Sequence, residues 1–102
     1  MDNTKDITSK ALITTKKLQE YFSITKKAIE TVESSQMDNS RIKDAKDFLN
    51  MAKCYYSDAL HFFKKKDYIN AFAAINYAHG WLDAGARIKL FDVHDNTLFT
   101  VD

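Results

Sequence analysis

The sequence predicts an all-α fold, an up-down-up three-helix bundle with a short non-helical C-terminal arm, and three observations lead to it. The 102 residues contain no proline and two glycines, too few chain breakers for many short strands and tight turns. Three long stretches repeat apolar residues at helical spacing, with short polar breaks between them. After residue 90 that spacing is lost while the apolar content persists. Residues 1–90 are read as the bundle, and residues 91–102 as an arm or small hairpin packed on the bundle or on a partner subunit.

Helix one is read from Ile7 to the polar run that begins at Glu33. Its apolar-leaning positions are Ile7, Ala11, Thr14, Leu18, Tyr21, Thr25, Ala28 and Val32, a heptad seam widened by Phe22 and Ile29. Lys10, Lys16, Lys17, Lys26 and Lys27 fall outside the seam, and Asn3 or Thr4 is the expected N-cap. Thr14 and Thr25 weaken the seam, which favours a helix laid on a bundle over a freestanding coiled coil. Glu33 to Ser40 is a loop that offers Asp38, Asn39 and Ser40 as caps.

Helix two is read from about Arg41 to Lys66. Its apolar residues, from Ile42 to Phe63, cover roughly half the circumference, so it touches two neighbours. Lys64, Lys65 and Lys66 end it where cations meet the negative end of the macrodipole. Asp67 then caps helix three across a turn so short that the two helices must be antiparallel.

Helix three, from Tyr68 to about Leu90, is apolar on two sides and is expected to be the most buried. Ala71, Ile75, Ala78, Leu82 and Ala86 form one side, and Ala73, Ala74, Tyr77, Trp81, Ala84 and Ile88 the other. Helices one and two cannot cover both, so Tyr77, Trp81 and Ile88 mark an interface. Gly80 and Gly85, each costing up to ~1 kcal/mol relative to alanine, imply close packing in return. In the last stretch, Asp95-Asn96 is a turn signal between Phe91 and Val93 on one side and Leu98, Phe99 and Val101 on the other. A lone hairpin is marginal in water, so this segment needs a surface, and Phe99 joins the interface candidates.

Bulk composition narrows the function classes. Fifteen Lys and Arg against fourteen Asp and Glu leave a formal charge of +1, which supplies no field toward nucleic acid or an anionic membrane. No apolar run nears the roughly 20 residues that span a bilayer. A single cysteine, Cys54, excludes an intrachain disulfide and fits a reducing compartment. The polar, acidic start MDNTKDITSK does not resemble a secretion signal. The expectation is a cytoplasmic chain with no membrane, nucleic-acid or cofactor association.

From Ala52 to Gly85, AKCYYSDALHFFKKKDYINAFAAINYAHGWLDAG, the chain resembles the short archaeal proteins of the domain-of-unknown-function 357 family. The tyrosine-rich end of helix two, the Asp-Tyr turn, the phrase AFAAINYAHGWLDAG and the LFTV ending carry the likeness. It implies a small helical bundle of archaeal, cytoplasmic origin with no established activity, and it supplies no catalytic residues. A looser likeness to one tetratricopeptide hairpin, at Ala59, Phe62, Tyr68, Ala71 and Ala78, reflects shared helix-hairpin packing.

One polar constellation stands out. Asn76, His79 and Asp83, spaced three and four apart, share a strip of helix three, with Tyr55 or Tyr56 of helix two at the same level. An imidazole oriented by a carboxylate can act as a base or hold a ligand; the same three groups can equally satisfy one another inside a helix crossing. Cys54 and His61 fall on the polar face of helix two, and His61 and His94 lack metal-ligand spacing, so no metal site is read. Arg87 and His94 share the separation found in some small helical ribonucleases, but the chain leaves the helix between them. The leading expectation is a non-enzymatic interaction or scaffold module acting as a homodimer or binding a protein partner. The alternatives are a small ligand binder or enzyme using the polar strip, and an RNA-associated accessory protein using Lys16, Lys17, Lys26, Lys27 and Lys64 to Lys66.

Overall fold

A threonine hydroxyl sets the start of the first helix. The computed structural model describes residues 13–101. Thr14 is extended there (φ −80°, ψ 153°), and its hydroxyl accepts from the Lys17 amide at 3.0 Å, so α1 runs Thr15–Ser34. Thr14 is therefore a cap and not a seam position: its side chain satisfies one of the amides that a helix start leaves open. The expected caps Asn3 and Thr4, with Ile7 and Ala11, lie outside the described residues. Leu18, Phe22, Thr25, Ala28, Ile29 and Val32 are buried, so the rest of the seam faces the bundle.

Helix α2 (Ile42–Lys64) and helix α3 (Tyr68–Arg87) both stop short of their expected ends, Lys66 and Leu90, and for one reason. Lys66 and Lys89 take left-handed backbone conformations, φ 61° and φ 64°. Each turn is closed by paired amides: Asp67 N donates to Phe62 O at 2.9 Å and Lys66 N to Phe63 O at 3.0 Å. Leu90 N donates to Gly85 O at 2.8 Å and Lys89 N to Ala86 O at 3.1 Å. This double closure is the Schellman motif, normally built on glycine. A left-handed lysine costs roughly 1–2 kcal/mol, so closure and packing must hold it. Asp67 caps α3, accepting from the Asn70 amide at 3.3 Å.

The three helices form the expected all-α bundle, each in contact with the other two, and α2 against α3 is the most extensive pairing. Ala45, Ala52 and Ala59, one heptad apart on α2, are fully buried. Opposite them lie Ala71, Ile75, Ala78, Leu82 and Ala86 of α3. At one end the core gathers Leu18, Phe22, Ala59, Ala71, Ala74 and Ile75. At the other it takes in Val32, Ala45, Leu82 and the apolar side chains of the C-terminal segment. Tyr56 packs against both clusters, and burial pushes its hydroxyl pKa above the usual value, with nearby Glu30 adding to the shift.

The C-terminal segment forms no hairpin among the described residues. Among the described residues its one β-type pairing is an isolated antiparallel bridge between Phe91 and Met37 in the loop after α1. Asp38 N donates to Leu90 O at 3.0 Å and Asp92 N to Gln36 O at 2.9 Å. Arg41, in a single 3-10 turn (Asn39–Arg41), donates to Ile88 O at 2.9 Å and is paired with Asp38 at 2.8 Å. Phe91, Val93, Leu98 and Phe99 are all buried. The Asp95 turn closes on itself, with Thr97 N and Thr97 Oγ1 donating to Asp95 Oδ1 at 2.9 and 2.6 Å.

These two turns make stability depend on acid. Hydrogen bonds from the Ser40 hydroxyl, then from Arg41, hold the Asp38 carboxyl below its ordinary 3.8; the Thr97 hydroxyl does the same for Asp95. A carboxyl whose folded pKa is depressed stabilises the fold above its ordinary pKa, and that contribution disappears as pH falls through the folded value. The melting temperature is therefore expected to drop on acidification from about pH 5 to about pH 2. A chain carrying Asp38→Asn and Asp95→Asn should lose less over the same range; an equal loss would show that other carboxyls govern it.

Candidate functional site

Asn76, His79 and Asp83 do share one strip, beside a hollow of about 230 Å³ that also meets Thr25 of α1. The carboxylate does not orient the histidine, however: Asp83 Oδ1 is 3.8 Å from His79 Nε2. His79 Nε2 lies 2.6 Å from Leu98 O and Nδ1 lies 3.0 Å from Thr25 Oγ1. A carbonyl only accepts, so Nε2 carries a proton and donates to it, while Nδ1 shares a hydrogen bond with the threonine hydroxyl. Asp83 accepts from Thr100 N at 3.0 Å. Asn76 Nδ2 donates to Phe72 O, one turn back, at 3.0 Å. The strip's hydrogen-bonding capacity thus goes largely into fastening the C-terminal segment to α3 and α1.

Tyr55 is not at the strip. Its ring lies 4.5 Å from that of Tyr77, tilted by 50°, on the far side of the α2–α3 crossing. Cys54 and His61 are exposed on α2, as their positions on its polar face predict. Among the described residues no three His, Cys, Asp or Glu side chains come together as a metal-binding group. No described helix is long and apolar enough to cross a membrane.

The second apolar side of α3 is open. Tyr77 is 58% and Ile88 49% exposed despite their size. Trp81 is half-buried, its ring edge-on to Phe48 at 5.0 Å, and its buried Nε1–H has no hydrogen-bond partner among the described residues. Between these groups runs an apolar groove of about 530 Å³, floored by Ala73, Gly80 and Ala84 and walled by Phe48, Tyr77 and Trp81. A methyl group built on Gly80 would meet nothing within 4 Å. Phe99, the fourth interface candidate, is 3% exposed and belongs to the chain's own core, away from this face.

Three residues matter more than their places in the sequence suggest. Ile69, in the first turn of α3, is 77% exposed and continues the open face; its spacing of four from Ala73 is the signal for it. Phe48 reaches that face from α2. Thr25, a weak point in a seam, is 2% exposed and is the buried partner of His79. Its role needs the fold to be known, because nothing in a threonine's position names a histidine 54 residues away.

No curated protein matches the chain. No solved structure matches it either. Residues 20–91, from within α1 to the bridge at Phe91, match the family described as Protein of unknown function (DUF357), and the chain belongs to that family.

Proposed function

We propose that this protein is a non-enzymatic interaction or scaffold module that acts as a homo-oligomer through the outer face of α3. One observation carries the reading: Ile69, Tyr77 and Ile88, three large apolar side chains, stand in solvent along one face of a helix whose opposite face is the core. Single exposed apolar residues are ordinary on a protein surface; an aligned set flanking an apolar groove marks an association site. The polar strip offers less, because His79 and Asp83 are engaged in holding the chain's own C-terminal segment.

Light scattering during size exclusion tests this. The full chain is expected to be larger than a monomer, with the oligomer dissociating on dilution. Tyr77→Lys should weaken association at least tenfold, since a central aromatic contributes about 2 kcal/mol or more to such an interface, and should leave helicity unchanged. A full chain that stays monomeric at every accessible concentration removes the reading.

A further inference from the structure

The face that the proposed function leaves open has a further property: its pattern reads the same in both directions. Ile69, Ala73, Tyr77, Gly80, Ala84 and Ile88 are spaced 4, 4, 3, 4 and 4 along α3. At about 100° per residue they fall, with Asn76 and Trp81, within roughly 140° of the helix circumference. About a two-fold axis perpendicular to the helix midway along this run, at the level between Ala78 and His79, a second copy would set its Ile88 opposite Ile69 and its Ala84 opposite Ala73. It would also set its Trp81 opposite Asn76 and its Gly80 opposite Tyr77. Three of these four pairs are complementary. Ile69 and Ile88 are both large and exposed, at 77% and 49%. Ala73 and Ala84 are both small and exposed. Tyr77 projects, and the space above Gly80 is empty.

We propose that the occupant of this groove is a second copy of the same helix, running antiparallel about that axis, with Tyr77 of each copy seated over Gly80 of the other. The inference rests on the homo-oligomer reading and adds to it the partner surface, the orientation and the register. A two-fold interface must be self-complementary, each surface patch meeting a copy of itself, and a knob three residues from a hole on one face meets that requirement only in the antiparallel sense. A parallel pair in register would set Tyr77 against Tyr77 and leave both hollows empty. The alternating four-three spacing of Ala73, Tyr77, Gly80 and Ala84 suits helices crossing at a shallow angle, and the small residues let the axes approach to the short end of the usual 8–10 Å.

Directed cross-linking decides the orientation. In a chain carrying Cys54→Ser, to remove the exposed native thiol, Ala73→Cys and Ala84→Cys are made separately; both sites are exposed on a helix and tolerate the change. Oxidising a mixture of the two should give the mixed disulfide, and either variant alone should give none. Identical sites in the antiparallel pair lie 11 residues, or about 16 Å, apart along the axis, well beyond the 4.4–6.8 Å Cα separation a disulfide spans. Gly80→Leu, which fills the hollow, should abolish the dimer while leaving the melting temperature of the monomer no lower. A dimer by light scattering in which Ala73→Cys cross-links to itself, or in which neither the mixture nor the single variants cross-link, overturns the antiparallel pairing and leaves the homo-oligomer reading standing. Persistence of the dimer in Gly80→Leu does the same. A monomer overturns both.

Discussion

A chain ending at Leu90 is expected to lose its cooperative fold. The truncation removes Phe91, Val93, Leu98 and Phe99, all 6% exposed or less and all part of one core cluster with Val32, Ala45, Leu82 and Ala86. Full burial of such a side chain contributes about 1.5–3 kcal/mol, so the four together contribute roughly 6–12 kcal/mol. That is comparable with the whole stability of a small domain, about 5–15 kcal/mol. Polar losses add to it: His79 loses the Leu98 carbonyl, Asp83 loses the Thr100 amide, and the loop after α1 loses its pairing across Met37 and Phe91. Circular dichroism against temperature checks the outcome. A truncated chain that melts cooperatively within a few degrees of the full chain would mean that the segment is an accessory and not part of the core. The same reasoning makes the truncation unsuitable for testing self-association, because an exposed core aggregates for reasons unrelated to α3's outer face.

Within that segment Phe91 carries most. It is 2% exposed, and its ring lies against Gly85, so close that a methyl group built there would overlap it. Phe91→Ala is expected to cost about 3–5 kcal/mol, the range for a large aromatic deleted from a core. Gly85→Ala approaches the same contact from the other side. Overpacking of this kind costs about 1–3 kcal/mol. Only up to ~1 kcal/mol is recovered from better helix propensity. Gly80→Ala, in the same helix but over open space, should gain up to ~1 kcal/mol in the monomer. Urea unfolding of the three variants gives the comparison directly, and a Gly85→Ala chain as stable as Gly80→Ala would show that the ring moves aside without cost.

The contrast between the two glycines also marks what the sequence can and cannot reveal. Both read alike there, as small residues in a helix otherwise rich in alanine; one is needed by an aromatic ring, the other floors a groove. Helix number, order and antiparallel sense were legible because periodicity and the short Asp67 turn depend on local chemistry. Helix ends were not, since Lys66 and Lys89 take left-handed conformations that their residue type disfavours, in closures normally marked by glycine. Asn76, His79 and Asp83 were legible as a strip because i, i+3 and i+7 positions on a helix always align. Their use was not, because the partners that settle it are a main-chain carbonyl at Leu98 and a main-chain amide at Thr100, groups that every residue has. Tyr77 and Ile88 could be picked out by counting the faces of α3, whereas Phe99 could be placed only by following the path of the last segment.

That path has a bearing on how the molecule assembles. Helical bundles fold quickly because most of their contacts join near neighbours in the chain. Here the closing bonds span long distances: Thr25 to His79 are 54 positions apart and Arg41 to Ile88 are 47. The seat of the final segment is made jointly by α1, the loop that follows it and α3, so it does not exist until all three have met. Phe91 meets both Gly85 and Met37, so its full set of contacts needs α3 and the loop after α1 together. In reverse, removing this segment would part the loop after α1 from α3 and open the core cluster that the helices share.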